Sequence, residues 1–447
     1  MKIRKRMAVA GLLVSAALAL TACSSSAGNA TAASAAAFPT GKVSLTMWYW
    51  GEQEAPGAQK YMNDAISAFE KIHPNVTIKP VLQTTDGLVP SFQAAAAAKS
   101  GPDLEYFWGG TNALTPAWQK QILPISDYIP KSELSHYLNA QEETWNGKVW
   151  TAPWYVQPSF PLLVRKDVLA KNNLTVPTTW NQLMSTCDAL SAKGITTLSG
   201  GVKDGFFGGW LYSILGSQDL SSSKDVIDAT IGTKSFESSA QAEWWKRLAE
   251  SKSHGCWNSD INSLNLYQAQ QRFVDGSAAM TITAGTDAPN FVKKAGGDTN
   301  VAVIPLPSWT KGPFVGKLGS TSQTLGITSW TKYPQVGAAF IEFLHTKAQL
   351  NAWYAATGAM PADNRFDLSQ VTTPTTRTLF TLASGGAPYL ENYIPPQLDS
   401  DAVFKNVQLV LEGSESASAA AKDMQATAVR ERTTDRSLVS NYTTWSK

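Results

Sequence analysis

The chain alternates between short β-branched or aromatic runs and longer segments in which apolar residues recur every three or four positions. Residues 43–50 (VSLTMWYW) predict a β-strand. Helical spacing of apolar residues over 62–72 predicts an amphipathic helix, and 76–81 predicts a second strand. An Ala-rich helical segment over 92–99 and a strand over 103–108 follow. These strand–helix–strand units predict a parallel sheet covered by helices, which is the α/β class.

Turn and cap signals extend this pattern. Asn146-Gly147 predicts a hairpin turn, and residues 162–167 predict another strand followed by a turn. Thr178 or Thr179 is suited to cap a helix that starts near residue 180. No fixed-period repeat is visible, and 447 residues are enough for two domains with cores of their own.

The N-terminus predicts export from the cell. Four basic residues within 2–6 precede an uncharged, mostly apolar run over 8–20, which is shorter than the roughly 20 residues of a membrane span. Leu20-Thr21-Ala22-Cys23 resembles a bacterial lipobox, which implies cleavage after residue 22 and a lipid on the Cys23 thiol. The alternative is an ordinary signal peptide with an incidental cysteine. Residues 24–37 lack charged and large apolar side chains and predict a flexible tether.

Charge and cysteine content narrow the class of function. Removal of residues 1–22 takes away four basic and no acidic residues and changes the formal net charge from +2 to −2, which argues against a nucleic-acid partner. Outside the cell, Cys187 and Cys256 can form a disulfide, with two buried free thiols as the alternative. The histidines and cysteines show no metal-ligand spacing, so we expect neither a metal nor another cofactor.

Nine segments, in order along the chain, resemble extracellular solute-binding proteins of the maltose-binding type. They are GPDLEYFW (101–108), WNGKVWTAPWY (145–155), LVRKDVL (163–169), PTTWNQL (177–183), FVDGSAAMTIT (273–283), AVIPLP (302–307), AAFIEFL (338–344), WYAATGAMPA (353–362) and APYLENYIPP (387–396). One stretch departs from the pattern, since residues 279–286 lack the Trp that some maltose-type members carry there. Maltose itself is therefore not assumed as the ligand.

The resemblance implies a two-lobed periplasmic-binding-protein-like α/β fold. Its lobes are discontinuous, are joined by hinge strands and close on a ligand in the interlobe cleft. The crossings are expected near Pro153, Ile304 and Met360. The expected divisions of the chain are 1–22 (signal peptide), 23–40 (lipidated Cys23 and tether), 41–153 plus 306–358 (N-terminal lobe) and 157–302 plus 362–447 (C-terminal lobe).

The resemblance also implies a function: a monomeric lipoprotein on the outer face of the cell membrane that captures a di- or oligosaccharide and delivers it to the permease of an ABC importer. The membrane contact would be the lipid anchor alone. A non-sugar solute, such as a polyol phosphate or an amino compound, and a role in sensing are the alternatives. A secreted glycosidase needs a suitably spaced carboxyl pair. The one obvious acidic pair, Glu142-Glu143, falls in a predicted helix where neighbouring side chains diverge, so we do not expect an enzyme.

Sixteen Trp and 13 Tyr residues fit a sugar site, because flat rings cover the C–H faces of a sugar and polar side chains bind its hydroxyls. For most of these aromatic residues core packing is the alternative, and Asp86 could instead cap a helix. Arg365 could instead be solvent-exposed. The candidate ligand contacts are Trp50, Glu52, Gln83, Asp86, Phe107, Trp108, Asn112, Trp154, Tyr155, Gln157, Phe207, Trp210 and Arg365.

Overall fold

The structure is a computed structural model that describes residues 38–445. The predicted signal peptide, Cys23 and residues 24–37 of the predicted tether lie outside the described residues. Between residues 38 and 445, no helix has both the length and the apolar character needed to cross a membrane.

The described residues form two main β-sheets, a small hairpin and a helical layer around each sheet. The strands are β1 (Val43–Tyr49), β2 (Val76–Leu82), β3 (Leu104–Trp108), β4 (Ile122–Leu123), β5 (Thr144–Trp145), β6 (Lys148–Val149), β7 (Ala152–Pro158), β8 (Leu162–Arg165), β9 (Thr196–Ser199), β10 (Ala278–Ile282), β11 (Val301–Ile304), β12 (Ser320–Thr328) and β13 (Met360–Pro361).

Eighteen α-helices accompany these strands among the described residues. They are α1 (Ala58–Ile72), α2 (Thr85–Ala98), α3 (Thr111–Trp118), α4 (Lys131–Leu134), α5 (Lys166–Lys171), α6 (Trp180–Ser191), α7 (Phe207–Gly216), α8 (Lys224–Ile231), α9 (Ser239–Ser253), α10 (Leu266–Asp275), α11 (Ala288–Lys294), α12 (Pro334–Leu344), α13 (Lys347–Thr357), α14 (Pro374–Ala383), α15 (Pro396–Leu398), α16 (Lys405–Glu412), α17 (Ala417–Thr434) and α18 (Leu438–Trp445). A π-helical segment, Asp399–Phe404, joins α15 to α16.

The first sheet has the strand order β13-β7-β12-β3-β1-β2, with β4 also paired to β12. Strand β1 runs parallel to β2 and β3, as the repeated strand–helix–strand pattern predicts. Strand β12 is antiparallel to both β3 and β7 and carries the late part of the chain into the centre of the sheet. Helices α1, α12 and α13 pack on this sheet around a core that includes Met47, Phe69 and Phe340.

The second sheet has the strand order β11-β8-β10-β9 and a separate core. The chain leaves the first sheet at the end of β7 and enters the second at β8, only a few residues later. It returns to the first sheet between β11 and β12. In the second core, Cys187 of α6 and Cys256 are joined by a disulfide, with a Cα–Cα distance of 4.7 Å.

Most predicted elements are present with small shifts at their ends. The hairpin turn at Asn146-Gly147 joins β5 to β6, and Thr179 caps α6 by accepting a hydrogen bond from the backbone N–H of Gln182. Two expectations were wrong. Helix α2 starts at Thr85 rather than near residue 92, because Thr84 caps it. Glu142-Glu143 lies in a turn before β5 and not in a helix.

Candidate ligand-binding site

A cavity of about 460 Å³ lies between the two sheets. This volume falls within the range of small-molecule pockets, roughly 300–1,000 Å³. The residues that line it come from both halves of the fold: Glu54, Thr85, Asp86, Val89, Pro90, Gln93, Trp108, Asn112, Gln157, Phe160, Asp204, Phe206, Trp210, Thr321, Gln323, Tyr389, Glu391, Pro396, Gln397, Asp399, Ser400 and Phe404.

One wall of the cavity is built at the edge of the first sheet. Trp108 is the last residue of β3, and Glu54 lies in the loop after β1. Because β1 and β3 are parallel, their carboxyl ends lie at the same edge of the sheet. Ligands of open α/β sheets bind at the carboxyl ends of such strands. Gln157 of β7 lies opposite Thr321 of β12 and next to Gln323, so the antiparallel strands add polar side chains to the same wall.

A chain of hydrogen bonds holds these polar groups in place. Tyr106 donates its hydroxyl proton to Gln323, and Gln323 Nε2 donates to Gln157 Oε1 at 3.0 Å. Gln157 Nε2 in turn donates to Glu54 Oε2 at 2.9 Å. Tyr267, from α10 on the second sheet's side, donates to Glu54 Oε1 at 3.2 Å. Because each side chain is fixed by its neighbour, the wall is preorganised for hydrogen bonding to a ligand.

Glu54 accepts the last hydrogen bonds of this series, and its side chain has little solvent access. Burial raises the pKa of its carboxyl to about 7, although hydrogen bonds from Gln157 and Tyr267 oppose the shift by favouring the charged form. Near neutral pH the carboxyl can therefore either accept hydrogen bonds or donate one. Hydroxyl groups, which both donate and accept, suit such a partner.

Aromatic rings form the opposite wall. Phe160 and Trp210 stack with centroids 4.0 Å apart and planes 13° apart. Phe206 packs edge-on against Trp210 at 5.6 Å, and Tyr389 packs against Phe160 at 5.4 Å. On the first wall, Trp108 faces the same space. The cavity therefore combines flat apolar surfaces with fixed polar groups, an arrangement that suits a ligand with both C–H faces and hydroxyls.

The π-helical segment supplies the floor of the cavity. It carries Asp399, Ser400 and Phe404 into the lining, and such segments are frequent at functional sites. Glu391 lies beside Asp399 and accepts a hydrogen bond from the Tyr389 hydroxyl. Burial raises the pKa of Glu391 to about 7, and burial together with the charge of Glu391 raises the pKa of Asp399 well above its usual range.

Five of the 13 residues expected at the site line this cavity: Asp86, Trp108, Asn112, Gln157 and Trp210. Asp86 lies in the first turn of α2, whose cap is Thr84, so its carboxylate is not used as the helix cap. Trp108 is half-buried and Trp210 is buried, and the two belong to opposite walls.

Four expected residues of the first half do not line the cavity. Trp50 is buried behind Trp108, at 5.7 Å, and its indole N–H donates to Thr85. Glu52 accepts hydrogen bonds from the backbone of Gly57 and Gln59 and so stabilises the start of α1. Two more face elsewhere: Gln83, a half-buried residue after β2, and Phe107, which packs edge-on against Phe92 in the core.

The other four expected residues are also placed outside the lining. Trp154 and Tyr155 pack against Trp353 in the first core. Phe207 is buried behind Trp210. Arg365 forms ion pairs with Asp363 and Glu133, so its charge is already matched within the protein.

Several lining residues were missed from the sequence because they lie far apart in the chain. Tyr389 and Glu391 belong to the quoted segment APYLENYIPP, and Phe206 precedes Trp210 in a run of glycines and aromatics. Those two signals could have identified them. Asp399 and Phe404 had no signal, because only the π-helical geometry turns both toward the cavity.

Glu142 and Glu143, the acidic pair considered for glycosidase chemistry, do not line the cavity. Glu143 is buried and accepts hydrogen bonds from the backbone of Gly110 and from Thr151, each at 3.1 Å. Glu142 is 3.4 Å from Asn392 Nδ2. The pair holds neighbouring loops together.

A second, more open cavity of about 830 Å³ lies behind β7. It is lined by Val156, Pro158 and Ser320, whose positions alternate with those of Gln157 and Thr321 and so belong to the other face of the strands. Its described lining includes no carboxylate and a single aromatic ring. The cavity between the sheets has the richer set of convergent polar groups and is the stronger candidate.

Solved structures of similar fold include several from saccharide-related proteins. A protein described in connection with xylan utilization by Caldanaerobius polysaccharolyticus has a TM-score of 0.75 and 22% identity, with 86% of this chain and 99% of that chain covered. A chitin oligosaccharide binding protein has a TM-score of 0.76 and 19% identity over 87% of this chain and 98% of its own. The GacH receptor of Streptomyces glaucescens GLA.O, known unliganded and with acarbose, has a TM-score of 0.68 and 18% identity over 90% and 99%.

These likenesses show that the fold is the two-lobed α/β fold of periplasmic-binding-protein-like proteins. No curated protein sequence gives a significant match. The sequence model of the bacterial extracellular solute-binding proteins matches residues 64–375, which is more than half of the chain. The protein therefore belongs to the family of bacterial extracellular solute-binding proteins.

Proposed function

We propose that the protein is the sugar-binding component of an ABC importer. It captures a di- or oligosaccharide in the cavity between the sheets and delivers it to the permease. Its anchor is a lipid on Cys23, which holds it at the outer face of the cell membrane. The lobes that close on the sugar are residues 41–153 with 306–358 and residues 157–302 with 362–447.

The observation that carries this proposal is the pairing of two unlike walls in one cavity. Trp108 and the stacked Phe160–Trp210 pair offer flat apolar faces. Gln157 and Glu54 offer polar groups already fixed by hydrogen bonds within the wall. A sugar presents the complementary surfaces, because its C–H groups form faces and its hydroxyls lie at the edges. Both side chains keep hydrogen-bonding capacity beyond these bonds, namely a second N–H of the Gln157 amide and further lone pairs on the Glu54 carboxyl, and sugar hydroxyls can use it.

The relatives support the ligand class. The three similar structures described above are associated by name with xylan utilization, chitin oligosaccharide and acarbose. Because the saccharides named with these three relatives differ from one another, the test of the ligand class is a panel of ligands.

The test is a thermal-shift screen of the purified protein against mono-, di- and trisaccharides, polyol phosphates and amino acids. A ligand at a hundredfold its Kd stabilises the folded state by about 2.7 kcal/mol, which gives a clear rise in Tm. We expect a rise with one group of saccharides and recovery of the intact sugar. A rise only with phosphates or amino acids would refute the sugar proposal, and recovery of cleaved sugar would indicate a glycosidase.

Two variants locate the binding site. Trp108→Ala removes a half-buried ring from the cavity wall, and we expect the affinity to fall about 10-fold or more, because an aromatic contact contributes about 1.5 kcal/mol. Trp309→Ala is the matched control: Trp309 is also half-buried, but its indole bonds Asp219 and it does not line the cavity. Equal losses in the two variants would contradict the assignment of the site.

The anchor is tested separately by Cys23→Ser. We expect this variant to appear in the medium or the soluble extracytoplasmic fraction, whereas the parent chain stays with the membrane, because one acyl-bearing residue is its only proposed membrane contact. Membrane retention of the variant would contradict the lipid anchor without affecting the sugar proposal.

A further inference from the structure

Tyr267 joins the two halves of the fold beside the cavity. It lies in the first turn of α10, and its hydroxyl donates a hydrogen bond to Glu54 Oε1 at 3.2 Å. Glu54 follows β1 of the first sheet and lines the cavity, whereas α10 packs on β9 and β10 of the second sheet. The hydrogen bond therefore connects two parts of the protein that face each other across the cavity.

The helix that carries Tyr267 is firmly attached to the second half of the fold. Asn265 caps α10, because its side chain accepts from the backbone N–H of Gln268 and the Gln268 side chain bonds the backbone N–H of Asn265 in return. The buried face of α10 includes Leu266 and Phe273, one helical repeat apart. Tyr267 is half-buried and lies off that face, so its side chain leaves the core and reaches Glu54.

The acceptor is held equally firmly on the first sheet. Gln157 Nε2 donates to Glu54 Oε2 at 2.9 Å, and Gln323 in turn holds Gln157. Each oxygen of the Glu54 carboxyl thus has a donor from a different half of the fold. Because Glu54 is buried, loss of the Tyr267 hydroxyl would leave one of these oxygens without its donor, which is unfavourable.

The ring of Tyr267 has a separate role from its hydroxyl. It packs against Phe206, with ring centroids 5.7 Å apart, and Phe206 is part of the aromatic wall of the cavity. Tyr267 itself is not among the residues that line the cavity. A phenylalanine at residue 267 would keep the ring contact with Phe206 and lose only the bond to Glu54, so the two roles can be separated by experiment.

Other groups at the cavity oppose the approach of the two halves. Asp86 of α2 and Asp204, which follows β9, line the cavity from opposite sides. Burial, and after it the charge of Asp86, raises the pKa of Asp204 to about 6. Like charges that approach each other disfavour closure. Attractive contacts between the halves must offset this effect, and the bond between Tyr267 and Glu54 is such a contact.

We propose that the Tyr267–Glu54 hydrogen bond is a latch that holds the two lobes closed over the saccharide. Tyr267 is then a positioning residue, which slows release of the sugar without touching it. This inference rests on the proposed sugar-binding function and adds the contact that controls release. When the lobes separate, the bond breaks and Glu54 becomes solvated. Because apparent affinity falls with the fraction of protein in the closed state, the latch acts equally on every saccharide that binds.

The experiment compares the parent protein with Tyr267→Phe by calorimetry and by stopped-flow measurement of association and dissociation rates. The probes are xylotetraose, the N-acetylglucosamine tetrasaccharide and maltotetraose. We expect Tyr267→Phe to lower the affinity about 10-fold, because it removes a hydrogen bond to a buried carboxyl group. The loss should appear in the dissociation rate and should be the same factor for each probe that binds the parent, since the lost bond does not involve the sugar.

Three further variants assign the effect to the latch. In the Glu54→Ala background, Tyr267→Phe should change the dissociation rate less than about twofold, because the acceptor is absent. If Glu54→Ala lowers Tm strongly, Glu54→Gln replaces it, and the effect should shrink to about threefold, because a neutral acceptor makes a weaker hydrogen bond. Tyr354→Phe is the matched control: Tyr354 is also half-buried, but it packs on Phe366 outside the cavity, so we expect no change.

The outcomes separate the two proposals. An unchanged dissociation rate in Tyr267→Phe would overturn the latch while the sugar-binding function stands. An equal loss with and without the Glu54 side chain would also overturn the latch, because Tyr267 would then act through the packing of α10. A loss that differs strongly between saccharides would place the hydroxyl on the sugar instead. Absence of binding of all three probes to the parent would overturn both proposals.

Discussion

Gly209, the third residue of α7, controls where the carboxyl group of Glu391 lies. A Cβ atom at residue 209 would stand 1.8 Å from Glu391 Oε1 and 2.2 Å from Glu391 Cδ. Non-bonded atoms need roughly 3.5 Å, so Gly209→Ala must move the carboxyl group by about 1.5 Å or more. The displaced atoms are the end of a flexible side chain, so the fold can accept the substitution. The carboxyl group of Glu391, however, cannot stay where it is.

Gly209→Ala should leave stability nearly unchanged while it weakens binding. Replacing Gly by Ala in a helix contributes up to about 1 kcal/mol to stability, which offsets the cost of moving Glu391, so Tm should change little. A hydrogen bond from ligand to a charged group contributes about 1.5–3 kcal/mol. Loss of one such bond at Glu391 should weaken saccharide binding about 10- to 100-fold.

The assay is a double-mutant cycle measured by calorimetry with the most tightly bound saccharide of the screen. In the Glu391→Ala background, Gly209→Ala should cost less than about 0.5 kcal/mol, because the group it displaces is absent. Unchanged affinity in Gly209→Ala alone would refute the reasoning. An equal loss in both backgrounds would show that Gly209→Ala acts on the helix and not through Glu391.

Two further predictions concern stability rather than binding. The double variant Cys187→Ala, Cys256→Ala removes a disulfide that closes a loop with a sequence separation of 69. By the chain-entropy relation, this should lower the free energy of unfolding by about 4 kcal/mol. Urea titration measures the change, and a value below about 1 kcal/mol would contradict the prediction. Arg365→Met removes the ion-pair partner of the buried Asp363 and should cost about 3 kcal/mol of stability without changing ligand affinity; a large loss of affinity would instead place Arg365 at the site. Burial alone raises the pKa of Asp363, but hydrogen bonds from Arg365 and His345 lower it to about 2, so this contribution is present above the pKa of an unfolded Asp, about 3.9, and is lost as the pH falls toward 2.

Local patterns predicted the fold well where each residue's role depends on its near neighbours. The β-branched and aromatic residues of 43–50 predicted β1 with nearly correct ends, and the Asn146-Gly147 signal predicted the hairpin. The wrong prediction of where α2 begins also has a local cause. Thr84 provides a cap that the helical spacing of apolar residues does not reveal, so the helix starts well before Phe92.

The site was harder to predict because the direction of a side chain depends on the register of its strand. Phe107 and Trp108 are adjacent, yet one packs into the core and the other lines the cavity, since neighbouring residues of a strand face opposite sides. Trp154 and Gln157 lie on the same short strand, but only Gln157 reaches the cavity. Arg365 was placed near a predicted crossing, but Glu133, more than 200 residues earlier in the chain, forms an ion pair with it.

The most direct test of the central claim is a crystal structure of the protein with its most tightly bound saccharide. We predict sugar rings between Trp108 and the Phe160–Trp210 pair, with hydroxyls hydrogen-bonded to Gln157 or Glu54. A saccharide bound in the cavity behind β7, lined by Val156 and its neighbours, or at the surface with the central cavity empty, would contradict the account.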